Sequence, residues 1–162
     1  MDQNDFRIGT GFDFHLLVAD RRLVLGGVEI PFELGLLGHS DADVLLHAVC
    51  DAILGALCMG DIGRHFPDTD ARFKDISSVV LVEDVARKMR EAGFQIGNLD
   101  VTVLAERPKI VRYSDAMRDN LARALACESE LINIKATSLE GAGAIGRGEG
   151  IAAQAAVLLR RT

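Results

Sequence analysis

Asp13 and His15 stand two residues apart in a run of β-formers, Phe6 to His15. On a strand their side chains share one face, about 7 Å apart along the chain. His47 lies further on, in a stretch with helical periodicity. A carboxylate and two imidazoles from two elements can converge on a divalent metal. Three protein ligands leave a fourth position open, the arrangement of a catalytic rather than a structural zinc. The other outcome is a hydrogen-bonded His–Asp pair in the core, and a D-x-H pair alone does not choose between them. His47 favours the metal, because it lies on a polar stripe, Asp43-His47-Asp51, along an otherwise apolar helix. Such a stripe on a buried helix has to face a partner, a water-filled cleft or a metal. Asp43 and Asp51, one turn to either side, are candidate acceptors for the imidazole's second nitrogen.

A second group of chemistry-bearing residues lies near the end of the chain. Gly141 to Gly150 contains a formal G-x-G-x-x-G at Gly141, Gly143 and Gly146. Too little chain follows Gly146 for the helix, second strand and acidic ribose partner of a dinucleotide site. A more modest function survives: glycines let backbone N–H groups approach a phosphate. Lys135, Thr137, Ser138, Glu140 and Arg147 flank the loop with hydroxyls and charges suited to a diphosphate and its metal. The alternative is a tight turn into a last strand. Asp61, Asp68 and Asp70 share a loop with Phe66 and Pro67, either as a solvated acidic loop or as acceptors for polyol hydroxyls. No G-x-S-x-G or cysteine nucleophile motif occurs, and His39 beside Ser40 makes no triad.

The elements that must position these groups follow from periodicity. Phe6 to His15 predicts a strand. Arg21 to Val28 predicts a second, interrupted by Gly26-Gly27, and Pro31 a turn or edge, so the chain opens in a hairpin-like way. Gly35 to Gly38 reads as a glycine-bounded loop. Ser40 reads as an N-cap, with Asp43 three residues on as a variant capping box, and a mostly buried helix follows to about Met59, ended by Gly60. Asp61 to Lys74 reads as a polar loop, Ser77 to Ala92 as an amphipathic helix closed by Gly93, and Phe94 to Ala105 as a strand. Residues 109–127 carry apolar residues at helical spacing. Leu131 to Ser138 alternates cleanly as a strand with one apolar face. Ile151 to Leu159 is apolar on both faces, and periodicity alone does not decide between strand and helix. Interleaved strands and helices with a hairpin opening predict an α+β fold: one domain over 1–162, a mixed four- to five-stranded sheet with helices packed on one face.

With 162 residues, about half of them hydrophobic, the chain can bury an ordinary core. The net charge of −6 argues against nucleic-acid or anionic-membrane partners. It also requires that an anionic substrate be met by metals, local cations or N–H groups. Cys50, Cys58 and Cys127 have no metal or redox spacing and read as buried small hydrophobes in a reducing compartment. Residues 1–7 carry no secretory signal and no run is long enough for a membrane span, so a cytoplasmic location is expected.

Five blocks carry a resemblance: RIGTGFDFH, GLLGHSDADVLLHAVCDAILGA, GDIGRHFPDTD, the N-x-D-V-T strand leading to Pro108-Lys109, and INIKATSLE…GRGEGIAAQA. In this order, from about Arg7 to Leu159, the sequence strongly resembles the 2-C-methyl-D-erythritol 2,4-cyclodiphosphate synthase family of the non-mevalonate isoprenoid pathway. The resemblance implies cyclisation of 4-diphosphocytidyl-2-C-methyl-D-erythritol 2-phosphate with release of CMP. It implies zinc at Asp13, His15 and His47, and magnesium or manganese at Glu140 with the diphosphate. It gives His39 and Ser138 catalytic roles, with Ser40 beside the 2-phosphate. Asp61, Ile62, Gly63, Phe66, Pro67, Asp68, Thr69 and Asp70 are implied on the erythritol side of the substrate, and Phe14 is implied as a further substrate-binding residue. Ala105, Pro108, Lys109, Ile110 and Val111, with Thr137 and Leu139, are implied around cytidine and phosphate, and Ala144 and Arg147 near the last loop. The family assembles as homotrimers with each site between subunits, so the two halves of a site come from neighbouring chains. Ser138 replaces a usual threonine, Leu139 a hydroxyl residue and Ala144 a common aromatic near the trimer axis. Ala144 bears on an axial isoprenoid cavity, Leu139 and Ala144 keep a non-catalytic zinc- or cytidine-nucleotide-binding module in view, and a metal-dependent phosphohydrolase with water as nucleophile is a further alternative.

Overall fold

The computed structural model describes residues 5–162. The chain opens with β1 (Phe6–Val18), a hairpin of β2 (Leu23–Leu25) and β3 (Val28–Ile30), and the short β4 (Gly35–Leu36). Helix α1 (Val44–Ala56), the single-turn α2 (Ile62–His65) and helix α3 (Ser78–Glu91) follow. Then come β5 (Phe94–Leu104), α4 (Ser114–Leu125), β6 (Ile132–Thr137), the single-turn α5 (Gly143–Gly146) and β7 (Gly150–Arg161). Five strands form one mixed sheet in the order β4-β1-β7-β5-β6, while β2 and β3 pair apart from it. β7 is antiparallel to both β1 and β5, and β5–β6 is a parallel pair joined through α4. The class is α+β, as the sequence predicts.

Ile151 to Leu159 is the central strand of the sheet, which settles the choice that periodicity left open. Ile151, Ala153, Ala155, Val157 and Leu159 on it are buried, as are alternate residues of β5 at Leu99, Val101 and Val103. Helix α1 lies on this face with Val44, Leu45, Val49, Ile53 and Leu54 fully buried. Two glycines let it lie close. A Cβ at Gly9 would sit 1.9 Å from the Ala52 carbonyl oxygen, and one at Gly11 would sit 2.0 Å from that of Ala48. Real Cβ atoms essentially never approach so near, so only glycine fits. Ala48, Ala52 and Ala56 complete the contact with small side chains every fourth residue. The opposite face of β1 is left uncovered: Ile8 is 75% exposed and Phe12 61%.

Four expectations are corrected. The opening hairpin is β2–β3, turning at Gly26-Gly27, and does not include β1. The N-cap of α1 is Asp43, not Ser40, since the Asp43 carboxylate accepts the Leu46 N–H. Cys58 is exposed, at the positive φ of 58° where the chain leaves α1, while Cys50 is buried and Cys127 half-buried. The polar segment 61–74 is not all loop, for α2 and a 3-10 turn at Ala71–Phe73 lie within it. Residues 109–127 are helical as expected, as a 3-10 turn at Val111–Tyr113 running into α4.

Candidate metal centre and its cavity

β1 presents Asp13 and His15 toward the N-terminal half of α1, which carries His47. The Asp13 Oδ2 atom lies 2.9 Å from His15 Nε2 and 3.0 Å from His47 Nδ1, and the two nitrogens are 3.2 Å apart. A tetrahedral zinc with bonds of about 2.0–2.1 Å has donor atoms roughly 3.3 Å apart. The three separations fit that edge. Hydrogen positions strengthen the fit for His15. Its Nδ1 is 2.6 Å from the Leu37 carbonyl oxygen, which can only accept. Nδ1 therefore donates, and a neutral His15 turns a bare Nε2 lone pair toward the Asp13 oxygen. A lone pair facing a carboxylate at this distance calls for a cation, either a proton on the imidazole or a metal.

The titration shifts describe the proton. For Asp13 burial pulls upward, but the adjacent imidazoles of His15 and His47 outweigh it and hold the carboxyl well below the usual carboxylate range. For His15 burial pulls downward, and the hydrogen bond and charge of Asp13 outweigh it and raise the imidazole.

The carboxylates of the two aspartates flanking His47 make no hydrogen bond to its imidazole. Asp43 accepts the N–H groups of Gly26 at 3.0 Å, Gly27 at 2.8 Å and Leu46 at 3.1 Å. Burial pushes its carboxyl up to about 6 against the pull of those donors. Asp51 accepts the Ile62 N–H at 2.7 Å, fastening α2 beside α1. The second nitrogen of His47 instead meets Ser78 Oγ at 3.0 Å and Ser40 Oγ at 3.2 Å. Ser78 was not legible as a site residue, because the Ser77-Ser78 pair reads simply as the start of α3.

A cavity of about 480 Å³ opens beside the three ligands. Its wall includes Gly38, His39, Ser40, Asp51, Ile62, Gly63, Phe66, Pro67 and Asp68, with Phe73 and Leu81 behind. Of the segment expected at the erythritol side, Ile62, Gly63, Phe66, Pro67 and Asp68 therefore reach the cavity. Asp61 caps α2 through the Arg64 N–H, and Asp70 caps the following 3-10 turn and pairs with Arg72. Asp61, Thr69 and Asp70 are not on the wall, and neither is Phe14, which alternates to the other side of β1 from Asp13 and His15. His39 Nε2 lies 3.2 Å from the Asp70 carbonyl oxygen.

A second, smaller hollow of about 160 Å³ is lined by Ala105, Pro108, Lys109, Ile110, Val111, Ala136, Thr137 and Ser138. It shares no wall residue with the first. Ser138 Oγ donates to Glu140 Oε1 at 2.7 Å, and Glu140 is exposed at a positive φ of 51°. Arg147 pairs with Glu149. Leu139, Glu140, Ala144 and Arg147 line neither hollow. Among the described residues no helix is long and apolar enough to cross a membrane.

Fold and site together define a small α+β domain in which three potential metal ligands line a cavity. The YgbB family model matches residues 6–160, and the chain belongs to the YgbB family. The 2-C-methyl-D-erythritol 2,4-cyclodiphosphate synthase of Trichlorobacter lovleyi is 60% identical over 94% of this chain and 98% of its own length. The bifunctional enzyme IspD/IspF of Albidiferax ferrireducens is 59% identical over 97% of this chain, which spans only 38% of that longer protein. Among solved structures, the Plasmodium falciparum IspF CDP complex matches with a TM-score of 0.87 at 32% identity, over 99% of both chains.

Proposed function

We propose that the cavity beside Asp13, His15 and His47 cyclises 4-diphosphocytidyl-2-C-methyl-D-erythritol 2-phosphate to 2-C-methyl-D-erythritol 2,4-cyclodiphosphate, releasing CMP. The activity is a lyase-type step of the non-mevalonate isoprenoid pathway. The observation that carries it is the 60% identity to a synthase over 98% of that enzyme's length, joined to a donor set built for a cation. In the reaction a 2-phosphate oxygen attacks the β-phosphorus. The bond from that phosphorus to the α–β bridging oxygen breaks, and CMP leaves with the electron pair. The nucleophile is already an anion, so the protein needs no strong base, and the work is positioning and charge neutralisation.

Asp13, His15 and His47 would hold zinc, which when bound supplies Lewis-acid polarisation of the β-phosphate. A cation is needed here on electrostatic grounds. The chain carries a net −6, and Asp51 and Asp68 stand on the same wall. His39 and Ser40, at the rim, are placed to hold the 2-phosphate by hydrogen bonds. Ile62, Gly63, Phe66, Pro67 and Asp68 enclose the polyol. The smaller hollow, with Lys109 and the hydroxyls of Thr137 and Ser138 on its wall, suits a nucleoside and its phosphate. Glu140 is one exposed carboxylate. That is enough for magnesium or manganese, which takes one or two carboxylates and completes its shell with substrate phosphates and water.

The two hollows share no wall residue within a chain. A homotrimer, in which the hollow of one subunit completes the metal centre of the next, would bring the halves together. The bare sheet face at Ile8 and Phe12 supports this assembly. The test is CMP release by protein supplied with zinc and magnesium. A strong chelator should abolish it and zinc restore it, while His47→Ala should stay folded, bind no zinc and release no CMP. A fully zinc-loaded, active His47→Ala protein would refute the ligand assignment.

A further inference from the structure

The hydrogens around His47 can be traced outward one bond further than the ligands themselves. Ser78 is wholly buried at the first turn of α3. The Asp41 carboxylate grips it twice: Oδ1 accepts the Ser78 hydroxyl hydrogen and Oδ2 accepts the Ser78 N–H at 3.0 Å. A serine has one hydroxyl hydrogen. Since that hydrogen goes to Asp41, Ser78 offers His47 Nε2, 3.0 Å away, only a lone pair. Nε2 therefore finds an acceptor in Ser78, and the network accommodates the tautomer with the imidazole hydrogen on Nε2. Ser40 Oγ accepts the Ala42 N–H at 3.1 Å and stands 3.4 Å from Ser78 Oγ, which has no hydrogen left to give, so Ser40 is the donor between the two serines and keeps a lone pair for Nε2, 3.2 Å away. With its hydrogen on Nε2, a neutral His47 turns the Nδ1 lone pair toward Asp13 and His15.

We propose that Asp41, acting through Ser78, fixes the tautomer of His47 and so positions it as a metal ligand. The inference rests on reading Asp13, His15 and His47 as a metal centre. Both residues are positioning residues, since neither faces the three donor atoms. The two histidines differ in a testable way. His15 is oriented by a backbone carbonyl, which no substitution removes, whereas His47 is oriented by side chains alone. The polarity of the relay depends on the carboxylate being an acceptor only. In Asp41→Asn the amide can donate to Ser78 Oγ, which frees the serine hydrogen to point at Nε2. The imidazole hydrogen then moves to Nδ1, where a metal should bind.

The experiment measures zinc affinity by chelator competition on metal-free protein, and locates the His47 hydrogen by nitrogen-15 NMR. The wild-type protein is expected to bind zinc with the hydrogen on Nε2. Ser78→Ala and Asp41→Asn should each lose about 10–100-fold in zinc affinity, the range for partners that orient a metal ligand. Ser78→Thr, which keeps the hydroxyl, should restore it. Urea unfolding of the metal-free proteins separates lost affinity from lost fold, and if Ser78→Ala does not fold, Asp41→Asn and the wild-type spectrum decide. A zinc-loaded wild type with its His47 hydrogen on Nδ1 overturns the proposal and leaves the metal centre standing. So does a folded Ser78→Ala or Asp41→Asn that binds zinc as tightly as wild type. A wild-type protein that takes up no zinc overturns both.

Discussion

If Asp13, His15 and His47 hold zinc as proposed, a proton and the metal compete for one set of lone pairs. In metal-free protein the raised His15 contributes stability that is fully present below the ordinary histidine value of about 6.5 and is lost as pH rises through its raised folded value. The lowered Asp13 contributes stability present above about 3.9 and lost as pH falls through its depressed value. Zinc requires neutral imidazoles, so its stabilisation runs opposite to that of the His15 proton. Added zinc should therefore raise Tm little at about pH 5.5 and most at about pH 8. Zinc at a hundredfold excess over Kd gives about 2.7 kcal/mol, or roughly 5–10 °C for a chain of this size. Thermal scans across that range check it, and a zinc shift that shrinks with rising pH would contradict the ligand set.

At the scale of elements, the site exists because α1 lies almost on the backbone of β1. Gly11 faces the Ala48 carbonyl, and Ala48 is the neighbour of His47. Gly11→Val must push the helix away. The expected cost is about 1–3 kcal/mol or more, as is typical of overpacking, with zinc binding weakened in the same variant. Urea unfolding and chelator competition on that variant measure both, and unchanged zinc affinity would detach the helix position from the site. Strands β1, β5 and β6, the main helices and the Asp13, His15 and His47 cluster were legible in the sequence, because alternation, helical spacing and the D-x-H pair are local patterns, whereas β4 lies where Gly35 to Gly38 reads as a loop. What was not legible is long-range. Asp43 reads as part of a stripe with His47, yet its carboxylate belongs to the Gly26-Gly27 turn. The true partner of His47 is Ser78, 31 residues away, which no spacing rule reaches. Ile151 to Leu159 likewise needed its neighbours β1 and β5 to declare it a central strand.

For the whole molecule, one sheet face is covered by helices and the other bears Phe6, Ile8, Phe12 and Leu16 on a single strand, all exposed. Rows on that face run from Phe12 across Gln154 and Thr102 to Lys135. A row of large apolar side chains along one strand is a face that other copies can cover. If the protein is the proposed homotrimer with sites shared between subunits, Ile8→Asp or Phe12→Asp should shift its sedimentation from trimer to monomer and abolish CMP release. A monomeric variant with full activity would show that one chain suffices. The central claim is the chemistry, and phosphorus-31 NMR of the products tests it most directly. With 4-diphosphocytidyl-2-C-methyl-D-erythritol 2-phosphate, zinc and magnesium, the expected products are the cyclic diphosphate and CMP in equal amounts. Inorganic phosphate in place of the cyclic product would identify water as the nucleophile, and unchanged substrate would leave a protein that binds without turning over; either result contradicts the account.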